Sequence, residues 1–140
     1  MTELAFVDSN ILVYAHDTAA GDKRTRASIV IQDLWQTGAG RISPQVLQEV
    51  YVTITQKLKS PIARPKAREI VTQLGHWVRE PTTVATVLRA TELADIVTIS
   101  FWDALIVASA EQAGAVYLYT EDLNHGQVIA GVKIINPFAA

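Results

Sequence analysis

Asp8, Glu49, Asp103 and Asp122 stand in four separated stretches of the chain, each among apolar neighbours. Asp8 closes the run Leu4-Ala5-Phe6-Val7, and Glu49 lies within Val46-Leu47-Gln48-Glu49-Val50-Tyr51. Asp103 sits in Ser100-Phe101-Trp102-Asp103-Ala104-Leu105-Ile106-Val107, and Asp122 follows Val116-Tyr117-Leu118-Tyr119-Thr120. A carboxylate taken out of water needs a hydrogen-bond donor, a cation or a proton. Two of them ~4 Å apart repel by about 4 kcal/mol at an effective dielectric near 20. Four in one crevice therefore take up protons or hold a cation. An all-oxygen set without histidine or cysteine suits Mg²⁺ or Mn²⁺, one ion or two, rather than zinc. Such an ion acidifies a bound water and neutralises charge on a phosphate during in-line attack. The chemistry expected is hydrolysis of an internal phosphodiester bond, leaving 5′-phosphate and 3′-hydroxyl ends.

Each acid also has a purely structural reading. Asp8 can end a strand in an Asx-turn. Ser100-Phe101-Trp102-Asp103 has the spacing of a capping box, although Ile106, Val107 and Ala110 continue an apolar stripe from Asp103. Glu49 by position alone is an ordinary helical glutamate, flanked at three residues by Val46 and Val52. Asp122 can cap a loop turn, with Glu121 beside it as a substitute ligand. His125 has no second histidine at ligand spacing and reads as a loop residue.

The elements that must position these residues follow from caps and periodicity. Leu4 to Asp8 predicts a buried strand, with Asn10 capping a short helix to about Ala15. A second helix covers roughly Lys23 to Trp35 and closes at Gly38-Ala39-Gly40. Arg41-Ile42 is a brief strand, and Ser43-Pro44 starts a helix to about Leu58. A fourth helix runs from Pro65 to about Val78. Pro81 to Val84 is a further short strand, followed by a helix from about Val87 to Ile96. Ser100 caps a helix that Gly114 ends. Ala115 to Tyr119 and Val132 to Ile135 are strands by their branched and aromatic content. Strands alternating with helices predict an α/β fold, with a central parallel sheet of four to five short strands flanked by helices. Asp8 and Asp122 then follow the carboxyl ends of strands, the edge that carries ligands in open α/β sheets. Glu49 and Asp103 lie near helix N-termini, whose dipoles favour ionised carboxylates.

With 140 residues, 49% apolar and 19% charged, the chain reads as one globular domain over 1–140. There is no cysteine, which excludes disulfides and thiolate metal sites. No cationic stretch followed by an apolar core opens the sequence, and no apolar run reaches the ~20 residues of a membrane span, so a cytoplasmic protein is expected. The net charge of −2 conceals an uneven distribution. Lys57, Lys59, Arg64, Lys66 and Arg68, five of the twelve basic residues, fall in an acid-free interval between Glu49 and Glu69. They form either a solvated helix end or a phosphate-tracking edge beside the acidic centre. Trp35, Trp77 and Tyr51 are candidate interface aromatics, with core packing as their structural alternative.

With these motifs assembled in order, the chain resembles the PIN-domain proteins, and among them the VapC-type toxins of bacterial toxin–antitoxin pairs. The resemblance spans essentially the whole sequence. It rests on Phe6-Val7-Asp8-Ser9-Asn10-Ile11-Leu12-Val13-Tyr14, Ser43-Pro44-Gln45-Val46-Leu47-Gln48-Glu49, Ser100-Phe101-Trp102-Asp103-Ala104-Leu105-Ile106 and Tyr119-Thr120-Glu121-Asp122-Leu123-Asn124-His125-Gly126. It implies a metal-dependent ribonuclease in which Asp8, Glu49, Asp103 and Asp122 bind Mg²⁺ or Mn²⁺. Asn10, Ser43, Ser100 and Thr120 would hold those acids or a bridging water. It also implies an RNA substrate, a homodimer, and a small antitoxin partner that inserts a segment into a groove and brings a basic side chain near the acids.

Two other readings fit parts of the sequence. An aspartyl-nucleophile phosphatase of the haloacid-dehalogenase type suits Asp8, but Asn10 replaces its second aspartate and no suitably placed lysine follows. A catalytically silent module binding RNA or protein would use the basic stretch alone.

Overall fold

The computed structural model describes residues 2–139. Its five strands are β1 (Ala5–Val7), β2 (Gly40–Arg41), β3 (Tyr117–Tyr119), β4 (Val128–Ile129) and β5 (Val132–Ile135). Its helices are α1 (Ser9–His16), α2 (Asp22–Thr37), α3 (Pro44–Gln56), α4 (Arg64–Leu74), α5 (Val84–Val97) and α6 (Phe101–Gln112). The sheet order is β2-β1-β3-β5-β4, with β4 alone antiparallel. This is the expected α/β fold, with a mostly parallel central sheet.

The all-apolar β1 is buried on both faces, as a central parallel strand must be. Seven consecutive residues of α6, Ala104 to Ala110, are buried. Sequence periodicity had marked only one stripe of this helix. Pressed against α5 and the sheet, α6 has almost no water-facing side, so its sequence lacks a polar one. Gly38 closes α2 in the left-handed conformation. At Gly40 a Cβ would stand 2.5 Å from the Trp77 indole, so only glycine lets β2 pass this ring.

Several expectations need correction. The α1 N-cap is Asp8, whose carboxylate accepts from the Ser9 N–H, and not Asn10, which lies inside the helix. Ser43 holds the N-cap position of α3, but its side chain makes no capping bond. Pro81 to Val84 forms no strand. There Thr83 caps α5 and exchanges hydrogen bonds with Thr86 in a capping box, which starts that helix earlier. The fourth helix stops at Leu74 and tightens into a 3₁₀ turn over Gly75–Trp77. Trp77 is buried, whereas Trp35, stacked on it at 4.6 Å, stays 40% exposed. Tyr51 is partly buried against the core.

Candidate metal centre

Strand order makes the site. From β1 the chain crosses to β2 on one side, and later returns to β3 on the other. The crevice at such a switch point, beyond the strand carboxyl ends, is where open α/β sheets bind ligands. Asp8 leaves β1 here and Thr120 leaves β3. The Asp8 N–H donates to the Tyr119 carbonyl at 2.9 Å, which fixes the two exits side by side.

Asp8 is 5% exposed. Its Oδ1 accepts from the Ser9 N–H at 2.7 Å, and its Oδ2 accepts from the Thr120 hydroxyl at 2.8 Å. Thr120, itself fully buried, also accepts from the Asp122 N–H at 3.1 Å. Asn10 Nδ2 donates to Asp122 Oδ2 at 2.9 Å, with longer contacts to Asp8 Oδ2 at 3.4 Å and Thr120 Oγ1 at 3.5 Å. Asn10 and Thr120 thus bind the acids directly. Ser100 touches only its own helix, accepting from the Asp103 N–H at 3.1 Å. Ser43 touches none of the carboxylates by hydrogen bond, and its hydroxyl is buried without a partner.

Electrostatics tie the four acids together. Burial raises the Asp8 pKa from 3.8 to about 6; the Thr120 and Ser9 hydrogen bonds oppose this, and Asp122 and Glu49 add to it. Glu49 is pushed up by desolvation, then by Asp122 and Asp103, against a hydrogen bond from Ser9 and the charge of Lys57. Asp122 is raised by desolvation and by Asp103 and Glu121, with Asn10 opposing. Glu49 and Asp122 remain exposed along much of their length, so the desolvation acts on carboxylates facing a crowded crevice rather than on a buried residue.

Three residues escaped the sequence reading. Ser9 donates to Asp8 and lines a depression together with Glu49, a role its place inside Asp8-Ser9-Asn10 hinted at. Tyr14 and Lys23 engage Glu121. The Tyr14 hydroxyl donates to Glu121 Oε1 at 2.5 Å, and Lys23 Nζ lies 2.8 Å from Oε2. The adjacent acids Glu121 and Asp122 therefore have separate partners. No sequence signal links Tyr14 and Lys23 to a residue about a hundred positions away.

The basic run divides. Lys57 lies beside Glu49, in a depression shared with Ser9. Lys66 and Arg68 instead border a groove of about 1020 Å³ between α1, α2 and α4, floored by apolar residues such as Leu12, Ile31, Ile70 and Leu74. Lys59 and Arg64 are exposed.

The family model for the PIN domain matches residues 5–129. The chain belongs to the PIN-domain family. Among solved structures, this PIN domain shares its fold with a toxin–antitoxin complex from Klebsiella pneumoniae, at a TM-score of 0.71 and 19% identity over 97% of this chain and 99% of that one. FitAcB from Neisseria gonorrhoeae gives 0.64 and 14%, over 98% and 100%. VapC20 from Mycobacterium tuberculosis, described as a sarcin–ricin loop cleaving toxin, gives 0.60 and 20%, over 84% and 89%. No curated protein matches the sequence.

The PIN domain's donor set suits a hard divalent cation. It is all oxygen, and the buried Asn10 Oδ1 has no hydrogen-bond partner. Among the described residues, no three acidic or histidine side chains already surround a common point at ligand spacing. Asp8 is buried and hydrogen-bonded, whereas Glu49 and Asp122 are exposed.

Proposed function

We propose that this PIN domain is a Mg²⁺- or Mn²⁺-dependent endoribonuclease, the toxin of a toxin–antitoxin pair. The observation that carries the reading is the convergence of Asp8 and Asp122 on Asn10 and Thr120 at one strand edge, where desolvation first, and neighbouring carboxylates second, raise the pKa values of Asp8, Glu49 and Asp122. Bound among them, the ion would supply an acidified water and offset charge on the phosphate. Thr120 and Ser9 favour the ionised form of Asp8 by donating to it. Asn10 does the same for Asp122 and holds it toward Asp8. Asp103, in the first turn of α6, gains from the helix dipole, while Glu49 closes the site from α3. Lys57, beside Glu49, is the best placed of the basic run to meet RNA, followed by the exposed Lys59 and Arg64.

The groove between α1, α2 and α4 suits an antitoxin segment. Its apolar floor and mixed-charge rim match the side chains of an amphipathic helix, and two of the similar structures are described as a toxin–antitoxin complex and as FitAcB. Exposed apolar residues on α5 and α6, including Leu88, Ile96 and Trp102, supply a surface for a homodimer. A cytoplasmic location goes with a toxin that acts on cellular RNA.

The test is cleavage of total RNA by the purified protein in Mn²⁺ and in chelator, beside Asp103→Asn. Metal-dependent fragments with 5′-phosphate ends, reduced at least about 100-fold in the variant, are expected. Mn²⁺ at ~100 times its dissociation constant should also add about 2.7 kcal/mol of stability to the wild type alone. RNA binding equal in both proteins, with no cleavage by either, would make the domain a silent binding module.

A further inference from the structure

Two lysines flank the four acids, and they differ in their commitments. Lys23 is fully engaged. Its Nζ lies 2.8 Å from Glu121 Oε2 and 3.4 Å from the Tyr14 hydroxyl, and it stands 4.8 Å and 5.2 Å from the ring centres of Tyr14 and Phe138. Lys57, at the carboxyl end of α3, takes part in none of the ion pairs or side-chain hydrogen bonds among the described residues. It lines one surface depression together with Ser9 and Glu49. Of the remaining basic run, Lys66 is paired with Glu69 and, like Arg68, faces the groove by α1 and α2. Lys57 is thus a cation beside the acids that is available to a ligand.

Between Lys57 and the acids lies a depression of about 300 Å³, lined by Ser9, Gln48, Glu49, Val52, Thr53 and Lys57. That volume is at the small end of ligand pockets, enough for one nucleotide. Its lining is varied in a way a solvated helix face does not need to be. Val52 offers 39% of an apolar side chain to a base or ribose. Gln48 carries both donors and an acceptor, and Thr53 a hydroxyl. The rise of α3 separates the Glu49 and Lys57 backbones by about 12 Å, so Lys57 meets a phosphate next along the strand rather than the one at the acids.

We infer that this depression is a subsite for the nucleotide beside the cleaved bond, with Lys57 holding its phosphate and Gln48 reading its base. The inference rests on the nuclease reading above and adds a substrate-binding residue and a specificity residue to it. A strand passing four carboxylates needs a nearby cation to offset repulsion, and Lys57 supplies one where Lys23 cannot.

The experiment measures binding of a 5′-labelled, random-sequence single-stranded RNA to the full chain in Ca²⁺, across a range of salt. Lys57→Ala is expected to weaken binding about five- to tenfold at low salt. It should also lower the slope of log affinity against log salt by about 0.7, one single-strand phosphate contact. The Mn²⁺ dissociation constant, read from thermal shifts, should stay as in the wild type. In Mn²⁺, Gln48→Ala should lose base preference at one position flanking the cut, read by sequencing the products. An unchanged salt slope in Lys57→Ala, or a shifted Mn²⁺ constant, would overturn the phosphate role. An unchanged base preference in Gln48→Ala would overturn the reading role. If the wild type binds neither Mn²⁺ nor RNA, the nuclease reading itself falls, an outcome distinct from both.

Discussion

Asp8 is the acid held most completely out of water, and the pH dependence of the protein should show it. Its folded pKa is raised from 3.8 to about 6, so between those values the folded chain binds a proton more tightly than the unfolded chain. Stability from this group is fully present below pH ~4 and is lost as pH rises through about 6. The penalty at neutral pH is at most ~3 kcal/mol, the equivalent of roughly two pKa units. Asp8→Asn removes the charge, keeps a side chain that caps helices well, and retains the volume. In chelator at pH 7.5 the variant is therefore expected to melt several degrees above the wild type. Its Tm should also vary less between pH 4 and 7, as calorimetry can check. Equal pH profiles for the two proteins would mean that the Thr120 and Ser9 hydrogen bonds already offset the burial.

The connection from β3 to β4 is the element on which the site depends most. Thr120 and Asp122 turn toward Asp8 and Asn10, and Glu121 turns to Tyr14 and Lys23. Farther on, His125 Nδ1 accepts from the Asn136 N–H at 3.0 Å, and Asn136 Oδ1 from the Phe138 N–H at 2.9 Å. Phe138 packs edge-on against Tyr14, which joins the end of the chain to the same cluster. Glu121 thus steadies the loop, and under the proposed function Asp122 would be the acid offered to the ion. Glu121→Gln is expected to cost no more than about 1 kcal/mol, because Lys23 is half exposed and its pair is partly solvated. The same variant should weaken Mn²⁺ binding by up to ~10-fold, whereas Asp122→Asn should abolish the Mn²⁺ response in a calorimetric titration. The reverse ranking would exchange the two roles.

At the scale of the molecule, the outer side of the α5–α6 pair is unusually apolar for a free surface. Val84 is 76% exposed, Leu88 56%, Ile96 73% and Trp102 65%. They stand among charged residues of the same helices, where Arg89 pairs with Glu92 and Glu111. If the proposed homodimer forms through this surface, Ile96→Glu combined with Leu88→Glu should give a monomer in sedimentation where the wild type gives a dimer, without lowering Tm measured at a concentration where the wild type is also monomeric. An unaltered sedimentation coefficient would remove the dimer or move its interface elsewhere.

The elements legible in the chain were those with local causes. Ser100 beside an apolar run starts α6, Gly38 ends α2, and Ser43-Pro44 opens α3, because caps and backbone restrictions act within a few residues. Asp8, Asp103 and Asp122 stood out as carboxylates beside apolar runs, Glu49 less so, and the supports Asn10 and Thr120 were expected from the family resemblance alone. Pro81 to Val84 misled because threonine and valine favour strands, yet a reciprocal Thr83–Thr86 cap was available one turn on. Strand order, by contrast, depends on which sheet faces bury most apolar surface together, and neighbouring residues carry little of that information. The order β2-β1-β3 makes Asp8 and Asp122 neighbours and sets Tyr14 and Lys23 against Glu121, while the packing of α4 on α3 turns Lys66 and Arg68 away from Lys57. Local chemistry chose the acids; long-range packing chose their company.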